Sequence, residues 1–210
     1  MNEVFISPKK KGKIAVFISG RGSNFMAIHD AVAAGKINAE IALVFSNKKN
    51  APGLEIAGQR ELNTFNLKPK DFSSNEEYDQ VLVDEIKKRN IDLICLAGYM
   101  KILTPGFCEA FKYKILNIHP ALLPSFPGLH VQQKAIDWGV RFSGATVHFV
   151  TADVDMGPIV LQAVVPVLQD DTDETLSDRI LKEEHKIYPE AVRLYFEGRL
   201  EVRGRRVFIR

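Results

Sequence analysis

Apolar runs of strand length alternate with stretches of helical period through the first two-thirds of this chain, and that alternation narrows the fold more than any other feature. Residues 13–19 place Ile14, Val16 and Ile18 in alternation with Ala15 and Phe17. Apolar side chains on both faces fit a strand covered from both sides, as parallel sheets are. Residues 24–34 read as a helix, with Gly35 where a left-handed residue commonly ends one. A strand at 40–46, a short helix from Gly53 and a strand near 63–67 continue the pattern. Residues 75–89 carry Tyr78, Val81, Leu82, Glu85 and Ile86 at helical spacing. Residues 92–97 read as a core strand, 105–111 as a short helix, 114–118 as a strand and 131–138 as a helix. The order then changes. Residues 145–150 and 159–167 read as strands paired across the loop 151–158, 175–196 as a long helix, and 199–202 with 205–209 as a hairpin about Gly204. This pattern predicts an α/β protein with a doubly wound, mostly parallel sheet and a late antiparallel portion. One domain is expected over 13–210, behind a mobile arm at 1–12 whose lysines precede no secretory-type apolar stretch.

Composition limits the partners. The 28 basic and 26 acidic side chains leave a net charge of +2, which exerts no overall pull toward nucleic acid or a membrane surface. A hydrophobic share of 46% is ample for a core, yet no apolar run reaches transmembrane length. Cys95 and Cys108 read as buried free thiols, which suit the cytoplasm, although sequence alone leaves a disulfide open. Arg203, Arg205, Arg206 and Arg210 read as the solvated face of the terminal hairpin.

Three segments hold residues suited to chemistry. Ser19-Gly20-Arg21-Gly22-Ser23-Asn24 joins the first strand to the first helix. Its glycines let the backbone approach an anion, and the helix start offers free N–H groups with a partial positive charge. The same residues also fit a plain strand–helix turn capped by Ser23 or Asn24. Phe25 stands where a dinucleotide fingerprint needs glycine, and the Gly-Lys-Ser/Thr of a Walker loop is absent. The second segment is Asn117-Ile118-His119-Pro120-Ala121-Leu122-Leu123-Pro124. Side chains at i and i+2 of a strand share a face, so Asn117 and His119 should project together where open α/β sheets bind ligands. An amide donor beside a titratable ring suits a reaction through an oxyanion; a turn asparagine and a structural histidine are the plainer alternative. The third is Gly144-Ala145-Thr146-Val147-His148, followed by Asp155-Met156-Gly157-Pro158. Asp155 is within plausible reach of a pocket, or is a solvated loop residue, and His148 reads better as a hydrogen-bonded structural side chain. The five histidines and two cysteines show no zinc-ligand spacing, so no metal is expected.

Taken in this order, the three motifs resemble those of the formyltetrahydrofolate-dependent formyltransferases, and the similarity runs over about 13–199. The resemblance implies a Rossmann-like formyltransferase fold and a transferase of one-carbon metabolism. The implied co-substrate is 10-formyltetrahydrofolate. The turn and the chain length are most similar to the member that formylates the amine of 5′-phosphoribosylglycinamide in purine biosynthesis. Related tRNA formyltransferases carry a further basic domain, and formylfolate hydrolases a regulatory one. By position, Asn117, His119 and Asp155 match the catalytic residues. Gly22, Ser23 and Asn24 match the holders of the ribose phosphate, and Glu184 a carboxylate on the ribose side. Met100, Lys101, Ile102 and Leu103, with Asn117, match the folate-binding segment. Lys101 and Asn75 depart from arginines found in some relatives. Asp155 is expected to raise the pKa of His119 and keep it protonated. The implied partners are small molecules, with no nucleic acid or membrane, for a cytoplasmic monomer or homodimer. A hydrolase or another formyltransferase on the same scaffold is the alternative, and a non-catalytic ligand-binding module is a third reading.

Overall fold

The computed structural model describes Val4–Phe5 and residues 11–210. Its strands are β1 (Val4–Phe5), β2 (Gly12–Ile18), β3 (Ala39–Ser46), β4 (Thr64–Asn66), β5 (Leu93–Leu96), β6 (Ile115–His119), β7 (Phe142–Phe149), β8 (Ile159–Pro166), β9 (Leu200–Arg203) and β10 (Arg206–Ile209). Its helices are α1 (Ser23–Ala33), α2 (Pro52–Gln59), α3 (Asn75–Lys88), α4 (Pro105–Ala110), α5 (Val131–Asp137) and α6 (Asp173–Phe196). Of the expected arm at 1–12, Val4–Phe5 pair with β9 and Gly12 opens β2. Residues 1–3 and 6–10 of that arm lie outside the described residues.

The ten strands among the described residues join one sheet in the order β1-β9-β10-β8-β7-β6-β5-β2-β3-β4. The half from β4 to β6 is parallel, whereas β6·β7, β7·β8, β9·β10 and β1·β9 are antiparallel. β2 lies between β3 and β5. The chain leaves β2 toward one edge and later returns to its other side, so the carboxyl ends of β2 and β5 flank a topological switch point.

The double-faced strand pattern has a direct physical outcome. Ile14, Val16 and Ile18 of β2 enter one apolar cluster with α1, α5 and α6 residues, while Ala15 and Phe17 enter a second with residues of α3 and α4. β5 divides the same way, with Leu93 and Cys95 in the first cluster and Ile94 and Leu96 in the second. α1 ends as expected. Gly35 has φ +71°, and the N–H groups of Gly35 and Lys36 reach the Val32 and Ala31 carbonyls at 3.0 and 2.9 Å, the paired closure that a left-handed residue permits. β7 begins earlier than expected, at exposed Phe142, because that residue pairs with Pro166 across the hairpin. α6 also starts earlier, since Thr172 caps it in a reciprocal box with Thr175. Cys95 and Cys108 are free and buried. The terminal arginines are not simply solvated: Arg203 and Arg206 stack on Phe208, and Arg205 donates to the Met156 carbonyl. No helix among the described residues is long and apolar enough to cross a membrane.

Candidate active site

The carboxyl end of β6 delivers Asn117 and His119 to the same side of the sheet, where a cleft of about 600 Å3 opens. Residues 98–103 after β5 form one wall, and residues 128–132 and 150–155 contribute the others. Asp155 lies on the β7–β8 connection and closes toward two imidazoles. Its Oδ2 is 3.5 Å from His119 Nδ1, and its Oδ1 is 3.6 Å from His148 Nε2. Asn117 Nδ2 is 3.2 Å from His148 Nε2. The three residues read from the sequence therefore converge, and His148 joins them.

The loop after β6 holds this cluster through its backbone. His119 Nε2–H donates to the Phe126 carbonyl at 2.8 Å, and Gly128 N–H donates to Asp155 Oδ2 at 2.8 Å. Thr146 on β7 anchors the start of that loop: its hydroxyl donates to Ala121 O at 2.6 Å and accepts from Leu123 N–H at 3.1 Å. Gln162 on β8 donates to Leu123 O at 2.9 Å. Phe126 and Gly128 lie in the apolar, Pro-rich stretch 122–128, which reads from the sequence as a rigid loop able to hold the pair still, whereas Gln162 carried no local signal. His148 carried one, since it shares a strand face with Thr146.

Electrostatics revises one expectation. Burial pushes the His119 pKa below its ordinary value, and this outweighs the Phe126 carbonyl and the Asp155 charge, which act in the opposite direction. His119 is 5% exposed, so the cost of desolvating an imidazolium is large. Asp155 thus pulls the His119 pKa upward as expected, but burial wins and the net direction is downward. Burial works to raise the pKa of Asp155, yet the His148 and Gly128 hydrogen bonds and the two imidazoles together hold it below the ordinary carboxylate range. The carboxylate is thus favoured in its ionised form and stands 3.5 Å from a ring whose pKa burial lowers.

A second cluster forms at the start of α1. Gly22 is the N-cap residue, with φ +79° and no side-chain cap, which excludes the capping role considered for Ser23 and Asn24. A Cβ at Gly22 would lie 3.3 Å from Gly53 Cα, besides requiring a left-handed side-chain-bearing residue. The first-turn N–H groups keep no intrahelical partner. Asn24 Nδ2 instead donates to Glu184 Oε2 of α6 at 2.7 Å, and Asn24 Oδ1 is buried without a protein partner. Burial raises the Glu184 pKa, opposed by the Asn24 bond. Met100, Lys101, Ile102 and Leu103 all line the 600 Å3 cleft, and Lys101 Nζ donates to Asn75 Oδ1 at 3.0 Å. A wider groove of about 970 Å3 runs between α1 and α6, but its walls include none of Asn117, His119, His148 and Asp155.

A family model described as formyl transferase matches residues 12–192. The chain belongs to the formyl transferase family. Within this family it is 46% identical over 197 residues to a phosphoribosylglycinamide formyltransferase of Haemophilus influenzae, covering 94% of this chain and 93% of that one. It is 44% identical over 192 residues to the trifunctional purine biosynthetic protein adenosine-3 of Drosophila melanogaster, covering 90% of this chain but only 14% of that protein's length. Among solved structures, glycinamide ribonucleotide transformylase 1 from Symbiobacterium toebii superposes with a TM-score of 0.93 at 48% identity, over 95% of this chain and 94% of that one. Asn117, His119 and Asp155 all line the cleft at the carboxyl end of β6.

Proposed function

We propose that this chain transfers the formyl group of 10-formyltetrahydrofolate to the amine of 5′-phosphoribosylglycinamide. The observation that carries this reading is the convergence of Asn117, His119 and Asp155 at the floor of the cleft. The flat folate lies between residues 98–103 and 128–132. The ribose phosphate sits on the N–H groups at Gly22, Ser23 and Asn24, with Glu184 beside the ribose. The two substrates then meet at β6.

The unprotonated amine attacks the formyl carbon and negative charge develops on the formyl oxygen. The Asn117 amide donates to that oxygen. His119, neutral at rest, takes up the proton shed by the amine as the oxyanion forms. The resulting imidazolium stabilises the oxyanion by its charge, and Asp155 stabilises the imidazolium. The proton passes on to the departing N10 of the folate when the intermediate collapses. Preorganised donors of this kind are worth roughly 10²–10³ in rate each. Because the amine is itself the nucleophile, this route needs no metal and no covalent enzyme intermediate. The buried thiols Cys95 and Cys108 support action in a reducing compartment, the cytoplasm. The partners in this reading are small molecules, and the chain acts as a monomer or homodimer.

The deciding assay mixes the full chain with 10-formyl-5,8-dideazafolate and phosphoribosylglycinamide and follows release of the deformylated folate by absorbance. Release that depends on the ribonucleotide supports the transferase. Release without it would mean a hydrolase and would overturn the acceptor.

A further inference from the structure

Asp79 is an anomaly that the chemistry above does not use. It lies on α3, is 2% exposed, and carries its carboxylate in a core of apolar and aromatic side chains. Oδ2 accepts one hydrogen bond, from the Thr104 backbone N–H at 2.7 Å, while Oδ1 is buried with no protein partner. No Lys, Arg or His among the described residues forms an ion pair with it. A buried carboxylate with a single amide donor is costly, and a group of this kind calls for an explanation beyond stability.

The position of that one hydrogen bond supplies it. Thr104 ends the wall of residues 98–103 and caps α4, accepting from Phe107 N–H at 3.3 Å. The other end of the wall is tied in the same manner. Met100 N–H donates to Ser19 Oγ at 2.9 Å, and Ser19 in turn donates to Asn47 Oδ1 at 2.7 Å. Within the wall the buried side chains are Tyr99 and Leu103, 8% and 6% exposed, whereas Met100 and Ile102 between them are 60% and 69% exposed. Burial fixes only those two side chains, and a rigid surface for a flat ligand also requires hydrogen bonds that fix the backbone of the exposed stretch between them.

We infer that Asp79 is a positioning residue for the formylfolate subsite, acting through the Thr104 N–H to hold the wall of residues 98–103 in its binding shape. This inference rests on the proposed function. Asp79 does not line the cleft and touches no reacting atom, so its effect falls on co-substrate binding and leaves the chemical step alone. A bond to an ionised acceptor is about twice as strong as a neutral one, which orders the variants. Asp79→Asn keeps an acceptor without the charge, and Asp79→Leu removes both.

Steady-state kinetics of the full chain with 10-formyl-5,8-dideazafolate and phosphoribosylglycinamide test this, alongside melting curves. The expected result is a KM for the formylfolate that rises roughly 3-fold in Asp79→Asn and roughly 10-fold in Asp79→Leu, with kcat and the ribonucleotide KM within about 2-fold of wild type. Should Asp79→Leu fail to fold, the Asp79→Asn ratio of the two KM values decides alone. An unchanged formylfolate KM overturns the inference. So does an equal rise in both KM values, which marks general loosening of the domain. An inactive wild type strikes the proposed function itself, a result distinct from either.

Discussion

Asn117 offers an amide to the cleft and carries no charge, so its removal strands no buried ion. Asn117→Ala is expected to melt near the wild-type temperature while kcat falls roughly 10²–10³-fold, as steady-state formyl transfer would measure. Asp155→Asn should lower kcat more than it raises either KM, because the amide can still accept from Gly128 N–H but cannot stabilise an imidazolium. His119 gives a pH signature. Its folded pKa lies below the ordinary value because burial dominates. The stability due to neutral His119 is therefore complete above its unfolded pKa, about 6.5, and declines as pH falls below that. Asp155, with a depressed pKa, keeps its contribution above its unfolded pKa, about 3.9, and loses it only in more acid solution. Between about pH 7 and pH 5 the wild type should thus lose more melting temperature than His119→Asn. An equal loss in the two proteins would contradict the neutral resting ring.

At the scale of elements, the β7–β8 hairpin sets where Asp155 stands. Gly157 packs so closely that a Cβ there would be 1.7 Å from the Phe149 carbonyl oxygen and 2.8 Å from its carbonyl carbon. Both are backbone atoms and cannot swing aside. Gly157→Ala should cost about 2–4 kcal/mol in urea unfolding and displace the Asp155 loop, with kcat falling beyond what stability explains. Helix α6 depends on its own start. Thr172 satisfies the Thr175 N–H at 3.3 Å and Thr175 answers on the Thr172 N–H at 2.9 Å, so Thr172→Ala should lower the unfolding free energy by about 1 kcal/mol.

Across the whole molecule, α6 ties the helical layer to the sheet beneath the site. The Tyr188 hydroxyl is 3.0 Å from the Leu96 carbonyl and 2.9 Å from the Leu116 carbonyl, at neighbouring positions of β5 and β6. Burial raises its pKa well above the ordinary value, so the group stays protonated and donates. Tyr188→Phe leaves these carbonyls without that donor, and a loss of about 1–3 kcal/mol in chemical denaturation is expected. The same helix carries Glu184 to Asn24, so one element both supports β5 and β6 and reaches the turn at α1.

Much of this was legible from local pattern. The two-faced alternation of β2 and β5 follows from burial on both sides, and that burial demands apolar residues at every position. The i, i+2 spacing of Asn117 and His119 follows from the strand pleat. Gly35 announces the end of α1 because few residues tolerate its φ. Other features had no local signature. The stretch 122–128 reads as a rigid loop able to hold the pair, but almost every residue owns an N–H and a carbonyl, so the letters do not say which of its backbone groups meet His119 and Asp155. Asp79 looks like any polar position on a helix until α4 covers it. The proton on His119 is the sharpest case. Sequence identifies a histidine and a nearby acid, and their charges argue for an imidazolium. Only the packed structure shows that the ring is too deeply buried for that attraction to prevail, because desolvation depends on everything around the ring and not on its neighbours in the chain.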